Sequence, residues 1–450
     1  MIAMMGAISR LLNLSSRDSH LSEILKGGGI SFLMSIITIA FGYLFTLIVS
    51  RAYGAEAMGI LSLCVTFIGV ATLIGQLGFE TSLVRFVAQY NSNGQRSLIK
   101  EVYAKVLKIV IPLSILVSVL IFINADIISQ KVFNKPHLET YFRIAALAIV
   151  PMVLLNINKQ ALRGLKRIGE FGLLDGVINY FFALMFLILF SLLLERKTIY
   201  PVVAYIVGII FATVLSSALW FRQIEIRSPS VAINEIKYRK LLSVSISMFF
   251  IASMHMIMQW IDTIMLGIFR TEAEVGIYNV ALRLANLTAI SLFAINSIVA
   301  PKFAELYAIK DMEGLKQTIQ HSTRLIFWFS APVLLAFILL PGFFLGFFGD
   351  EFKRGAMALI ILSIGQFVNS ISGSVGYFMN MTGRERACQN ILTIATLINI
   401  LLNYLLIPVF GMIGASIATM ISIVFWNLAS VVYIKYDTGI LTLYIPKLLL

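Results

Sequence analysis

Residues 411–434 read Gly411-Met-Ile-Gly-Ala-Ser-Ile-Ala-Thr-Met-Ile-Ser-Ile-Val-Phe-Trp-Asn-Leu-Ala-Ser-Val-Val-Tyr-Ile434, without one charged side chain. An α-helix needs about 20 such mostly apolar residues to cross the hydrocarbon of a bilayer. Working outward from this stretch, eleven further windows of the same kind appear, at 29–50, 57–79, 106–123, 143–162, 172–194, 200–221, 241–269, 275–299, 324–348, 356–380 and 389–408. Pro112, Pro151 and Pro332 fall inside windows, where membrane helices tolerate them. The whole chain agrees: 450 residues, 59% hydrophobic, 13% charged, mean hydropathy +0.92. Soluble domains carry about 25% charged residues, so this chain lacks the polar groups to cover a soluble core. The fold expected is an all-α polytopic membrane protein of twelve transmembrane helices. Its parts are an interfacial segment 1–28, a six-helix bundle 29–221, a linker 222–240, a second six-helix bundle 241–434 and a tail 435–450.

The net charge of +13 suggests nucleic acid until the charges are sorted by connection. With a cytoplasmic N-terminus, 24 lysines and arginines fall on inside segments and 9 on outside loops. This is the positive-inside pattern. It places both termini in the cytoplasm of a multi-pass protein of the inner (plasma) membrane, and leaves nucleic acid no role. The N-terminal segment lacks a signal-peptide cleavage pattern and reads as a surface-lying amphipathic helix.

The halves echo each other. Gly59-Ile60 matches Gly276-Ile277 at an offset of 217, which also pairs Phe86 with Phe303, Tyr90 with Tyr307 and Leu98 with Leu315. Gly164 and Arg167 match Gly383 and Arg386 at 219. Six spans per half is an even number, so both halves insert in the same orientation. They should be related by a pseudo-twofold along the membrane normal, with a cavity between them and transport by rocking. The corresponding segments 85–105 and 301–324 mix charged and apolar residues at helical spacing and predict amphipathic helices on the cytoplasmic surface.

The stretches Arg51-Ala-Tyr-Gly-Ala-Glu-Ala-Met-Gly-Ile and Gly75-Gln-Leu-Gly-Phe-Glu-Thr-Ser-Leu-Val-Arg-Phe-Val-Ala resemble the polysaccharide-biosynthesis flippases. So do Asp262-Thr-Ile-Met-Leu-Gly-Ile-Phe and Val275-Gly-Ile-Tyr-Asn-Val-Ala-Leu-Arg-Leu in the second half. These are the Wzx-like, lipid-linked oligosaccharide flippases of the multidrug/oligosaccharidyl-lipid/polysaccharide exporter superfamily. The resemblance implies export of polyprenyl-pyrophosphate-linked glycans (O-antigen, capsule or exopolysaccharide units), coupled to H+ or Na+. It also implies contact with membrane lipid and with other polysaccharide-assembly membrane proteins.

An ionisable side chain at the bilayer centre costs at least about 2.5 kcal/mol, so each one needs an account. His255, Gln259 and Asp262 share one face of the seventh span, and Asn279, Arg283 and Asn286 share one face of the eighth. Asp262 and Arg283 lie at similar distances from a loop centred near 272.5. Two readings follow: an ion pair that staples the hairpin, or an arginine that binds the substrate pyrophosphate bidentately. In the second, Asp262 is its counter-ion or a cation site. His255, Gln259 and Asp262 are the ion-coupling candidates. Lys159 and Arg163, near Asp175 at the cytoplasmic face, set topology or collect an anionic headgroup. Arg51, beside the first outside loop, is an anchor or a substrate ligand.

Gly27-Gly28-Gly29 is followed by Ile30, so no Walker-type nucleotide site is encoded. No His or Cys cluster has metal spacing, and Cys64 and Cys388 form no disulfide framework. The expectation is a transporter that is not an enzyme and carries no cofactor. A multidrug/cation antiporter of the same superfamily is the alternative. A membrane glycan polymerase is less favoured because no outside loop is long.

Overall fold

The computed structural model describes residues 19–225 and 236–444. Residues 1–18 of the expected interfacial segment, most of the linker and the end of the tail therefore lie outside the described residues, while residues 19–28 run on into the first long helix. Within them the chain is helical, without strands. The first half holds α1 (Ser19–Gln76), α2 (Phe79–Ser92), α3 (Arg96–Ile123), α4 (Ile149–Gly164), α5 (Ile178–Leu193) and α6 (Tyr200–Glu225). The second holds α7 (Tyr238–Phe269), α8 (Glu272–Asn286), α9 (Ile290–Ala308), α10 (Met312–Leu339), α11 (Ala356–Ser372), α12 (Glu385–Phe410) and α13 (Met412–Thr438). Among the described residues nine helical segments are long and apolar enough to cross a bilayer, or up to eleven when two bent pairs are each taken as one span. The protein is a multi-pass membrane protein.

The expected twelve requires the two arms of α1 to be counted separately. Their junction is Gly54, at φ 83, a backbone region open to glycine at little steric cost. Phe45 and Thr46 before it line the same cavity as Ser62, Val65 and Thr66 after it. A straight helix would hold Phe45 and Thr66 roughly 30 Å apart, so the chain doubles back at this residue. α7 bends by 47° between Met254 and Met256, and α4 meets the preceding helix, Glu139–Ala146, at 41°.

The repeat is visible in the elements. α3 and α10 are both 28 residues long, and each follows a turn with a left-handed residue, Gly94 (φ 70) or Lys310 (φ 59). These turns correct one expectation. Segments 85–105 and 301–324 are not single helices. Each covers the end of one helix, the turn, and the start of the next. The first part of 85–105 belongs to the short amphipathic helix α2 and the other parts to the ends of longer helices, a break that periodicity alone does not show.

Apolar packing explains how the halves meet. One core cluster draws on both, running from Val49, Ala55, Met58 and Phe142 to Ile277, Phe352, Ile407 and Ala415, near the Gly54, Arg270 and Gly411 turns. Two further clusters are smaller. One, around Phe79, Val102, Ile157 and Trp220, is built mainly by the first half but takes in Leu241 at the start of α7; the other, around Phe303, Ile319, Phe378 and Ile434, belongs to the second half alone. The halves are thus broadly fused at one end; toward the other their cores are mostly separate and they meet again where the start of α7 crosses α2, with Ser82 Oγ 2.6 Å from Ser245 Oγ.

At the fused end the contact is reciprocal. A Cβ on Gly59 would come within 1.7 Å of the Glu272 carbonyl oxygen, and one on Gly276 within 2.1 Å of the Ala55 carbonyl oxygen. The offset of 217 exchanges Ala55 with Glu272 and Gly59 with Gly276, so the pseudo-twofold runs through this contact.

Candidate functional site

A cavity of about 610 Å³ lies between the halves. On α8 its lining residues Asn279, Arg283 and Asn286 all follow Gly276, so the space extends away from the fused end. The halves contribute unequally. From the first come Phe45, Thr46, Ser62, Thr66, Tyr180 and Tyr205 among apolar neighbours. Among the described lining residues, both charged ones, Asp262 and Arg283, all the amides and both tryptophans, Trp260 and Trp426, come from the second.

Asp262 is 3% exposed. Its Oδ2 accepts from the Tyr278 hydroxyl at 2.8 Å and the Thr419 hydroxyl at 2.5 Å, and its Oδ1 accepts from Asn403 Nδ2. Asn403 Nδ2 also donates to Asn399 Oδ1 at 3.1 Å, while Asn403 Oδ1 is buried without a hydrogen-bond partner among the described residues. Four helices (α7, α8, α12 and α13) therefore converge on one carboxylate.

Arg283 is partly buried on α8. Its carbonyl oxygen accepts from the Tyr43 hydroxyl of the first half. Among the described residues its guanidinium has no hydrogen-bond or ion-pair partner. The Asp262–Arg283 ion pair, one of the two readings above, does not form. The reason is register. Asp262 pairs with Tyr278, and Thr263 with Asn279, both at a separation of 16 residues. The hairpin is therefore centred near residue 270 rather than 272.5. That slip carries Arg283 five residues past Asp262's true partner, roughly 7.5 Å along the helix.

The other candidates separate by place. Gln259, Asn279 and Asn286 line the cavity with Asp262 and Arg283. Asn279 donates to the Val275 carbonyl at 3.0 Å and to Thr263 at 3.4 Å. His255 falls at the bend of α7; its side chain is outside the described residues. Lys159 is ion-paired with Asp175 at 2.8 Å, and Arg163 lies 5.1 Å from the centre of the Phe171 ring. Neither belongs to the cavity lining.

Arg51 lies at the fused end, donating Nε to the Phe347 carbonyl across the halves at 2.6 Å. It belongs to a polar clasp that the sequence reading missed. In one arm Glu351 of the second half accepts from the backbone N–H of Ala55 at 2.6 Å. In the other, Lys135 and His137 of the first half lie 3.5 and 2.9 Å from Glu272 Oε1. Burial pulls the Lys135 ammonium below the usual lysine range, against the opposing pull of Glu272. Lys135 also donates to the Arg270 carbonyl at 2.5 Å.

Tyr278, Asn399, Asn403 and Thr419 were likewise not singled out. Asn399 and Asn403, four apart in an apolar span, carried the signal: two amides on one face need a polar partner.

Two repeated helical halves around a polar cavity, fused at one end, define a membrane transporter fold. The chain belongs to the polysaccharide biosynthesis protein family, whose pattern it matches over residues 24–307, and residues 245–405 match the MatE family. It is 22% identical over 394 residues to a Haloferax volcanii protein named "Probable low-salt glycan biosynthesis flippase Agl15", covering 87% of this chain and 79% of the relative. The lipid II flippase MurJ in an inward closed conformation superposes with a TM-score of 0.73 at 14% identity, covering 90% of this chain and 87% of that one. An inward-facing multidrug resistance MATE family transporter of the MOP superfamily gives 0.72 at 14% identity, with 92% and 98% covered.

Proposed function

We propose that the protein is a flippase that carries polyprenyl-pyrophosphate-linked oligosaccharide units from the cytoplasmic to the outer leaflet by alternating access. O-antigen, capsule and exopolysaccharide repeats are the glycans in view. The observation that carries this reading is Arg283, a guanidinium with no hydrogen-bond or ion-pair partner among the described residues, in a cavity between two halves. A partly buried cation is costly unless paired, and a pyrophosphate presents the oxygens that a guanidinium fork matches. The named activity of the Haloferax relative agrees. In this reading the cavity mouth faces the cytoplasm, the fused end faces outward, and both termini are cytoplasmic in the plasma membrane. In the same reading Lys159 and Arg163, on the cytoplasmic side, give the headgroup a first contact. Arg51 acts in closing the outer end and is not a ligand. The protein works as a transporter and performs no covalent chemistry.

Asp262 is the coupling-ion candidate, with Gln259 beside it and His255 at the bend. Its carboxylate, the orphaned Asn403 Oδ1, Asn399 Oδ1 and the Thr419 hydroxyl form a donor set of hard oxygens. Such a set fits Na+ as well as a proton, hard cations preferring oxygen ligands. The same carboxylate is what favours the second reading, a cation/multidrug antiporter. Against it, Asp262 already holds three donors, whereas Arg283 is unmatched.

The deciding experiment depletes the protein in its native cell and follows the lipid-linked glycan by leaflet. Accumulation on the cytoplasmic face, uncorrected by Arg283→Ala, supports the flippase. Normal glycan export by Arg283→Ala overturns it.

A further inference from the structure

Resting on the flippase reading, we propose that Asn286, Gln366 and Asn369, with Trp426, form a subsite for the sugar that follows the pyrophosphate, and that this sugar is uncharged. Gln366 and Asn369 of α11 were not implicated by the sequence. Gln366 Nε2 donates to Asn286 Oδ1 at 2.9 Å, and Asn369 Nδ2 donates to Gln366 Oε1 at 3.3 Å. The three amides thereby fix one another across two helices. At one end the chain presents the Asn286 amide hydrogens, at the other the Asn369 carbonyl oxygen; among the described residues neither has another partner. A donor end and an acceptor end, held apart by a fixed spacer, match the hydroxyls and acetamido group of a pyranose. An indole from α13 completes the site, since Trp426 lines the same cavity and offers an apolar face to the C–H side of a sugar ring.

Position ties this subsite to Arg283. Asn286 is three residues further along α8, a rise of about 4.5 Å, on the side away from the fused end. A pyrophosphate on Arg283 therefore has its sugar one helical turn nearer the mouth.

The charges set the class of sugar. Among the described lining residues Arg283 is the one cation and Asp262 the one anion, and Asp262 is already engaged. A pyrophosphate diester brings two negative charges to one guanidinium. A uronic acid in the next position would add a third with no basic partner in a poorly solvated site. Neutral hexoses and N-acetylhexosamines meet amides and an indole instead.

The test uses the full chain in lipid nanodiscs and three probes: farnesyl pyrophosphate, and its N-acetylglucosaminyl and glucuronyl esters. Binding is read by calorimetry. We expect the N-acetylglucosaminyl ester to bind about tenfold more tightly than the other two, the increment that one or two hydrogen bonds supply. Gln366→Ala should lower its affinity to that of farnesyl pyrophosphate, whose own binding, unchanged, reports that the variant is folded. Equal affinities for the two sugar esters, or an N-acetylglucosaminyl ester no tighter than farnesyl pyrophosphate, would overturn the subsite and leave the flippase reading standing. Farnesyl pyrophosphate that fails to bind, or that binds Arg283→Ala as well as the parent, would overturn both.

Discussion

Gly59 and Gly276 face each other across the pseudo-twofold, each leaving room for a carbonyl oxygen of the opposite half, that of Glu272 or Ala55. Backbone approach this close tolerates no side chain on either residue. In the proposed alternating access, separation of this contact is the step that opens the fused end.

Gly59→Leu should wedge this end apart. Ser50, 2% exposed and beside Gly54 and Glu351, serves as reporter. A Ser50→Cys thiol should be protected from an impermeant maleimide in the parent and become reactive from outside in the Gly59→Leu background, with most export lost. Continued protection would show that the contact does not close the outer end.

The clasp arms should differ in strength. Glu272 and Lys135 have side chains only 11% and 15% exposed, and removing one partner of such a buried pair costs about 3–5 kcal/mol. Glu272→Ala should therefore raise outward labelling of the same cysteine strongly. Glu351→Ala removes an acceptor from one backbone N–H, a loss of about 1–3 kcal/mol, and should raise it less. The reverse order would contradict the assignment of the arms.

Asp262→Asn retains the shape of the four-helix junction and removes its charge. Export should persist at a low rate but lose its response to Na+ withdrawal or to a protonophore, whichever abolishes it in the parent. Asp262→Ala should in addition lower the thermal midpoint, because Tyr278, Thr419 and Asn403 lose an acceptor at about 1–3 kcal/mol per stranded group. Ion-dependent export by Asp262→Asn would remove this carboxylate from coupling.

Arg283→Lys keeps the charge but not the fork. Two parallel bonds to phosphate oxygens become one contact with a mobile ammonium, so the variant should express normally and lose most export. Full activity would mean that charge alone is recognised.

Much of the architecture was legible because a bilayer imposes a coarse rule: a crossing is a long apolar run, and the runs at 29–50, 106–123 or 411–434 meet it without help from packing. The break in α1 was readable too, since Gly54 sits between two such runs. The cavity was legible one helix at a time. The stripe Asn279, Arg283, Asn286 lines it as periodicity implies. What failed was pairing between helices, which depends on the residue about which a hairpin turns. An error of 2.5 residues in that centre exchanged Tyr278 for Arg283 as the partner of Asp262. Glu351, Lys135 and His137 escaped notice because their partners, the Ala55 amide and Glu272, are far off in sequence and lie in the other half.

The uneven lining of the cavity has a consequence for how such proteins diversify. Among the described lining residues, every charged, amide and indole group is carried on α7 to α13, and the first half offers hydroxyls and apolar surface. A chimera that joins residues 1–225 of a homologue to the second half of this chain should keep this chain's glycan preference, and the reciprocal chimera should adopt the homologue's. A lineage could thus acquire a new cargo by recombination within the linker, leaving the first half to act as a common shutter.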